Sequence, residues 1–206
     1  VKDVATLTLT AGTTIEFGDD TNLQVTGRLI VAGNNAGDVV LRSAAQVKNR
    51  GDWQGIRIQN KGTAVFKGLE IRHTGQGGAS AIESEGAVSI ENSTIADGDG
   101  SGVVARRGGG TIRNSRIAGQ TKLGLDAQAP SGVGLSDMTL DGVTFEGNQG
   151  AAVPGGAAMQ WTLINNSATG NDVNGIVVPG GSVDRPMILR GGDLPYVFTG
   201  SVVHSK

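Results

Sequence analysis

Cysteine is absent from the 206 residues, which excludes disulfides and thiolate metal sites outright. Aromatic residues make up only 3%, and charged residues 17%, against about 25% in an ordinary globular domain. The net charge is −2 with both signs dispersed, and Arg106-Arg107 is the only adjacent basic pair, so there is no electrostatic footprint for nucleic acid or an anionic membrane. No apolar run approaches the roughly 20 residues of a membrane span. Long glycine-free stretches are missing too: the longest, 38–50 and 157–169, hold thirteen residues. Each interior Gly costs a helix about 1 kcal/mol relative to Ala, so any helix must be short and incidental.

What is present is glycine, 35 residues of it, together with 37% apolar residues rich in Val, Ile and Leu. That apolar content with little net charge argues for a packed core rather than disorder. The chain is long enough for one large domain or two small ones, and the expected class is all-β.

The segment "IENSTI" at 90–95 returns as "IRNSRI" at 112–117. Related hexads are "FKGLEI" from Phe66, "LDGVTF" from Leu140 and "INNSAT" from Ile164, and the five first residues are spaced 24, 22, 28 and 24 apart. Each hexad opens on a large apolar residue and has Gly or Asn third: Gly68, Asn92, Asn114, Gly142 and Asn166. A second series of small-then-apolar segments keeps step with it: "GIRI" from Gly55, "SAIE" from Ser80, "GVVA" from Gly102, "GLDA" from Gly124, "AAV" from Ala151 and "GIVV" from Gly175. Upstream, "LTLTAGTTIEF", "LQVTGRLIV" and "VVLRS" alternate apolar and polar residues as half-buried strands do.

A unit of this length with short strands cannot bury its own apolar face, but stacked units can, each coil about 4.8 Å above the last through parallel pairing. The Gly or Asn at the third place then marks a tight corner where a left-handed backbone is needed, and Asn side chains stacked there can bond to neighbouring coils. The reading is a single-stranded right-handed parallel β-helix over 1–192, about eight coils of 22–28 residues. Ile90 is expected over Ile112, Ile95 over Ile117 and Asn92 over Asn114.

The period, the corner Asn and the phrases "GDWQGIRI", "LQVTGRLIVAG" and "IENSTI" resemble right-handed parallel β-helix proteins of the pectate-lyase-like superfamily, particularly repeat-containing domains of bacterial surface and secreted proteins. That resemblance implies an architecture more than an activity, because the fold hosts lyases, hydrolases, adhesins and passive stalks alike. A left-handed β-helix disagrees with the spacing, and leucine-rich and calcium-binding nonapeptide repeats lack their motifs. An immunoglobulin-like sandwich gives short alternating strands but not two series in phase.

Enzymes of this fold need carboxylates, Lys or Arg converging on one sheet face. Along the "GIRI" series the candidates are Arg57, Glu83, Ala105, Asp126 and Val178; Glu83 and Asp126 fall two coils apart, roughly 10 Å by the coil spacing. Polygalacturonase-type motifs are incomplete: Asp19-Asp20 stands alone in an expected turn, "RIQ" lacks the Lys, and His73 and His204 lack partners in register. "DGDG" at 97–100 lacks the spaced ligands of a calcium loop and reads as a turn. Trp53 and Trp161 are candidates for stacking on a sugar ring, although a packing role suits both. Asn92 and Asn165 match the glycosylation sequon, which corner duty also explains. No catalytic residue, metal or cofactor is assigned. The expected partners are a glycan or surface ligand, and neighbouring modules or copies meeting the open ends of the helix.

At the end of the chain, "LPYVFTGSVVHSK" restarts an alternation, so 193–206 is expected to be a tail opening a further module. Because the chain begins at Val1, it reads as a mature or excised piece, exported to the exterior or surface of a bacterial cell after loss of a targeting segment.

Overall fold

The structure, a computed structural model, describes the chain apart from residues 3, 107–108, 128–135, 155–158, 179, 184–188 and 205–206. All pairing between its strands is parallel, and the only helical turn among the described residues is a short 3-10 turn at Gln76–Gly78. The chain winds through three sheets in rotation. Sheet 1 begins with Thr6–Thr10 and sheet 2 with Thr14–Phe17, and each has seven strands; sheet 3 begins with Asn22–Val25 and has five. On that side Ala151–Pro154, Val173–Val178 and Tyr196–Phe198 form a further stack next to Leu125–Ala127.

Alternation makes the core. In sheet 1 the inward column runs Leu9, Val31, Phe66, Ile90, Ile112, Leu140, Leu163, all buried and each in register with the next. Sheet 2 supplies Leu41, Ile71, Ile95, Ile117 and Phe145, and sheet 3 Ile56, Ile82, Val103 and Leu125. The expected superpositions of Ile90 on Ile112 and Ile95 on Ile117 hold. Burying each such side chain contributes about 1.5–3 kcal/mol, and a single coil has nothing to bury it against.

The coil number agrees with the expected figure of about eight: sheets 1 and 2 contain seven rungs each, about 29 Å of rod at the usual rung spacing. Two details differ from the sequence reading. The coil from Val31 to Phe66 takes 35 residues, outside the expected 22–28, because segments 33–38 and 44–54 leave the coil as loops. The segment 193–206, expected as a tail, continues the winding: Tyr196–Phe198 pairs with Ile176–Val178, and Val202–His204 with Gly181–Val183.

The corners between sheets 1 and 2 are left-handed at Gly68 (φ 71°), Asn92 (48°), Asn114 (44°) and Gly142 (67°). In the seventh coil the left-handed residue is Asn165 (54°), not Asn166. Leu163, rather than Ile164, stands over Leu140, so the last hexad starts one residue earlier than its letters suggest. The side chain that bonds across coils is also one place further on: Ser93 Oγ accepts the Leu69 N–H at 3.1 Å, Ser115 Oγ the Ser93 N–H at 3.0 Å, and Asn166 Oδ1 the Val143 N–H at 2.9 Å. Asp193 Oδ2 continues the series by accepting the Asn166 N–H at 3.1 Å.

A β-branched residue at such a corner meets the left-handed steric penalty of about 1–2 kcal/mol, and Asn meets far less. Gly142→Val should therefore lower the unfolding free energy by about 2 kcal/mol or more, whereas Asn114→Gly should change it by less than about 0.5 kcal/mol. Urea denaturation of both variants measures this; equal losses would contradict the corner assignment.

Candidate functional site

Both indoles are buried, Trp53 at 0% and Trp161 at 2% exposure, which removes them as sugar-stacking platforms. Trp53 Nε1 donates to the Arg72 carbonyl at 2.8 Å, and its ring stacks on Phe17 at 4.0 Å. It pins the 44–54 loop of the long coil onto the coil above, helped by Gly51 and Asp52 N–H groups that donate to Thr74 and His73 carbonyls. Trp161 lies in register over Met138 inside the core. An indole carries a large apolar surface and one donor, and burial satisfies both.

The outward column of sheet 3 is Gln24, Arg57, Glu83, Val104, Asp126. Val104 takes the place expected for Ala105, because Val103 rather than Val104 stands over Ile82. Glu83 and Asp126 are thus separated by an apolar rung. Glu83 Oε1 accepts from Arg106 Nε at 2.8 Å and lies 3.4 Å from Arg57 Nη2, and Glu85 is 3.9 Å from Arg106. The hydrogen bond to Glu83 makes the Arg106 guanidinium hold its proton more firmly, and the charges of Glu85 and Asp126 act in the same direction. Five charged residues therefore gather on one face, with Arg106 at the centre of three carboxylates.

Beside them a shallow pocket is lined by Asn22, Gln54, Arg57, Ser80 and Glu83. Its polar rim is tied together: Asn22 Nδ2 donates to Gln54 Oε1 at 2.9 Å, Gln54 Nε2 to Asp20 Oδ1 at 2.7 Å, and Gln76 Nε2 to Asp19 Oδ1 at 2.6 Å. The Asp19-Asp20 pair is thereby used in bracing the first three coils. In "DGDG", Asp97 pairs with Arg72 and Asp99 accepts from Thr121 Oγ1 at 3.0 Å. Among the described residues no group of three or more His, Asp or Glu is placed to hold a metal ion. The side chain of His204 lies outside the described residues.

A second left-handed column escaped the sequence reading: His73 (φ 63°), Asp97 (55°), Gly119 (62°), Gly147 (59°) and Gly170 (65°). The residue after each one turns inward, giving a buried ladder of Thr74, Gln120, Asn148 and Asn171. Asn148 Oδ1 accepts the Gln120 N–H at 3.1 Å, and Asn171 Oδ1 accepts both the Asn148 N–H at 3.0 Å and its Nδ2 at 2.7 Å. The signal was present as Gly-Gln at 119–120 and Gly-Asn at 147–148 and 170–171. Gly98 occupies the ladder place between Thr74 and Gln120; a Cβ there would lie 2.3 Å from Gln120 Oε1. On either side of it Thr74 Oγ1 and Gln120 Oε1 are buried without a partner, the weakest rung of the ladder.

A family description, the right-handed β-helix region, matches residues 45–184, more than half of the chain. The chain belongs to the right-handed β-helix family. No curated protein and no solved structure matches it.

Asn148→Leu keeps the branched shape but adds volume and strands the buried Gln120 N–H. At about 1–3 kcal/mol for a buried group left unsatisfied, with overpacking adding to it, the loss in unfolding free energy should be about 3 kcal/mol. A loss under about 1 kcal/mol would contradict the ladder's role.

His73 lies under the 44–54 loop, and burial pushes its pKa below the ordinary value, with Arg72 and Lys48 adding to the fall and Asp97 and Asp52 opposing it. A depressed value means that the fold favours the neutral ring. The resulting stability is fully present above the unfolded-state pKa of about 6.5 and is lost as pH falls through the lower folded value. Thermal melts should therefore show His73→Asn, which retains a left-handed-tolerant residue, losing less stability than the parent chain between pH 7 and pH 5. Identical pH profiles would refute this.

Proposed function

We propose that the chain is a noncatalytic, rigid β-helix scaffold, adhesin-like or ligand-presenting, displayed on or secreted from a bacterial cell. The observation that carries this reading is the pairing of outward charges with one another, coil to coil. Lys67, Glu91, Arg113 and Asp141 alternate in sign up four successive coils, with Lys67 3.5 Å from Glu91 and Arg113 3.7 Å from Asp141. On sheet 2, Arg42 pairs with Glu16 at 2.9 Å and Arg116 with Glu146 at 2.8 Å. Surface pairs of this kind contribute little stability, about 0–1 kcal/mol each. Their effect is to leave those faces neutral and the acids engaged, which suits a rod that holds its loops at fixed spacing.

The second reading, a glycan-binding module or carbohydrate-active enzyme, is favoured by one face only. There Arg57 stands half-exposed above the pocket beside Glu83, with amide and hydroxyl groups able to bond sugar hydroxyls. A glycan array combined with a lyase assay on acidic polysaccharides separates the two. The scaffold reading expects no turnover, and any glycan captured by this face should be lost in Arg57→Ala. Turnover abolished by Glu83→Gln would overturn it in favour of the enzyme.

A further inference from the structure

The outward face of sheet 1 carries two columns in continuous register over six coils. The one beside the corner reads Ala32, Lys67, Glu91, Arg113, Asp141, Ile164, and the mid-strand one Ile30, Val65, Ser89, Thr111, Thr139, Thr162. Among the described residues, Val65 at 40% and Ile164 at 43% exposure are the large apolar residues that stand exposed on the three winding sheets, and both belong to this face. Ile30 is only half-buried beside Val65, and the threonines add methyl groups to the same column. Apolar side chains gathered in one patch and rimmed by charge mark a contact surface. Sheet 2 offers no equivalent: its described strands expose no large apolar residue, and Gly37 of the 33–38 loop lies beside the outward Glu70 carboxylate.

The charged part of the corner column alternates plus, minus, plus, minus, and an even alternating run is its own complement when reversed. Two rods laid face to face and antiparallel, related by a two-fold axis along the strands midway between Glu91 and Arg113, oppose every charge of this column with the other sign. Glu91 faces the second copy's Arg113, and Lys67 faces its Asp141. Outside them the small Ala32 faces the exposed Ile164. In the mid-strand column Val65 faces Thr139, Ile30 faces Thr162 and Ser89 faces Thr111, which sets aliphatic groups against methyls. Sliding one rod by a single coil moves the axis onto Glu91 or onto Arg113. The first opposes Glu91 to itself and Lys67 to Arg113; the second opposes Arg113 to itself and Glu91 to Asp141. Parallel rods, with the axis along the coil direction, set Asp141 against the second copy's Asp137, which shares its strand and its face. Juxtaposed like charges suppress these alternatives.

We propose that two copies of this chain associate through the outward face of sheet 1 as an antiparallel, two-fold-symmetric dimer whose register is set by the charge ladder from Lys67 to Asp141. Sheets packed face to face lie about 10 Å apart with their facing side chains interdigitated. The same patch is used on both copies, so the association closes at two. Its footprint, about 24 Å along the rod and about 17 Å along the strands, is at the small end of specific interfaces, and the dimer is therefore reversible. The pocket beside sheet 3 takes no part, so the dimer stands whether or not that face binds a glycan.

Sedimentation equilibrium of the whole chain from micromolar to millimolar concentration should show the mass rise from 20.9 kDa toward twice that value and stop. Glu91→Lys and Arg113→Glu each oppose like charges at two symmetry-related places, so either variant alone should dimerise about tenfold more weakly or worse. Mixed in equal amounts they should pair at the parental strength, because each reversed residue then meets the other variant's opposite charge. Circular dichroism checks that both fold, and Lys67→Glu with Asp141→Lys repeats the test at the neighbouring pair if either does not. A parent chain that stays monomeric at millimolar concentration, or that grows past two copies, overturns the proposal. So does a single variant that dimerises as the parent does, or a mixture that fails to pair.

Discussion

In the third to seventh coils two backbone positions near φ +60° turn the chain, and the residue after each, Gly98 excepted, sends a side chain inward; these corners govern the molecule. A coil that turns sharply points the next amide away from the backbone carbonyl above it, and a buried N–H left unpaired costs about 1–3 kcal/mol. The solution is the same at both corners. Ser93, Ser115 and Asn166 at one, and Asn148 and Asn171 at the other, accept that amide from the coil below. The strands between then need only alternate apolar and polar residues for their inward side chains to stack.

The periodicity, the parallel winding and the first corner column were legible because they depend on residue type at fixed spacing. Glycine and asparagine are the residues that tolerate the left-handed region, and large aliphatics are the ones that fill the core. What was not legible is register at the level of one residue. "INNSAT" contains two adjacent asparagines, and only pairing of Leu163 with Leu140 decides that Asn165 turns the chain while Asn166 bonds across it. The same single-residue ambiguity put Ala105 where Val104 faces out. The second corner was missed because His73 and Asp97 stand in a column otherwise made of glycine, which hides the repeat in its first two members. The two tryptophans illustrate a different limit: exposure is a property of the neighbouring loop, and only the 44–54 excursion decides that Trp53 is covered.

The site is less legible than the fold for a related reason. A parallel solenoid brings residues 22 to 35 apart in sequence side by side, so every outward column is a potential constellation of acids and bases. Most of the columns here cancel internally. Sheet 3 is the exception in density, with Arg106 drawing Glu83 and Glu85 together beside a pocket whose amides are already tied to Asp19 and Asp20.

The ladder is tested most directly by native-state hydrogen exchange at the amides of Leu69, Ser93, Val143, Gln120 and Asn148, which donate to side-chain oxygens of the next coil. If these contacts hold the coils together, the five amides should exchange only through opening events approaching global unfolding in free energy. Exchange as fast as that of the exposed loop at Asn34 and Asn35 would contradict the account.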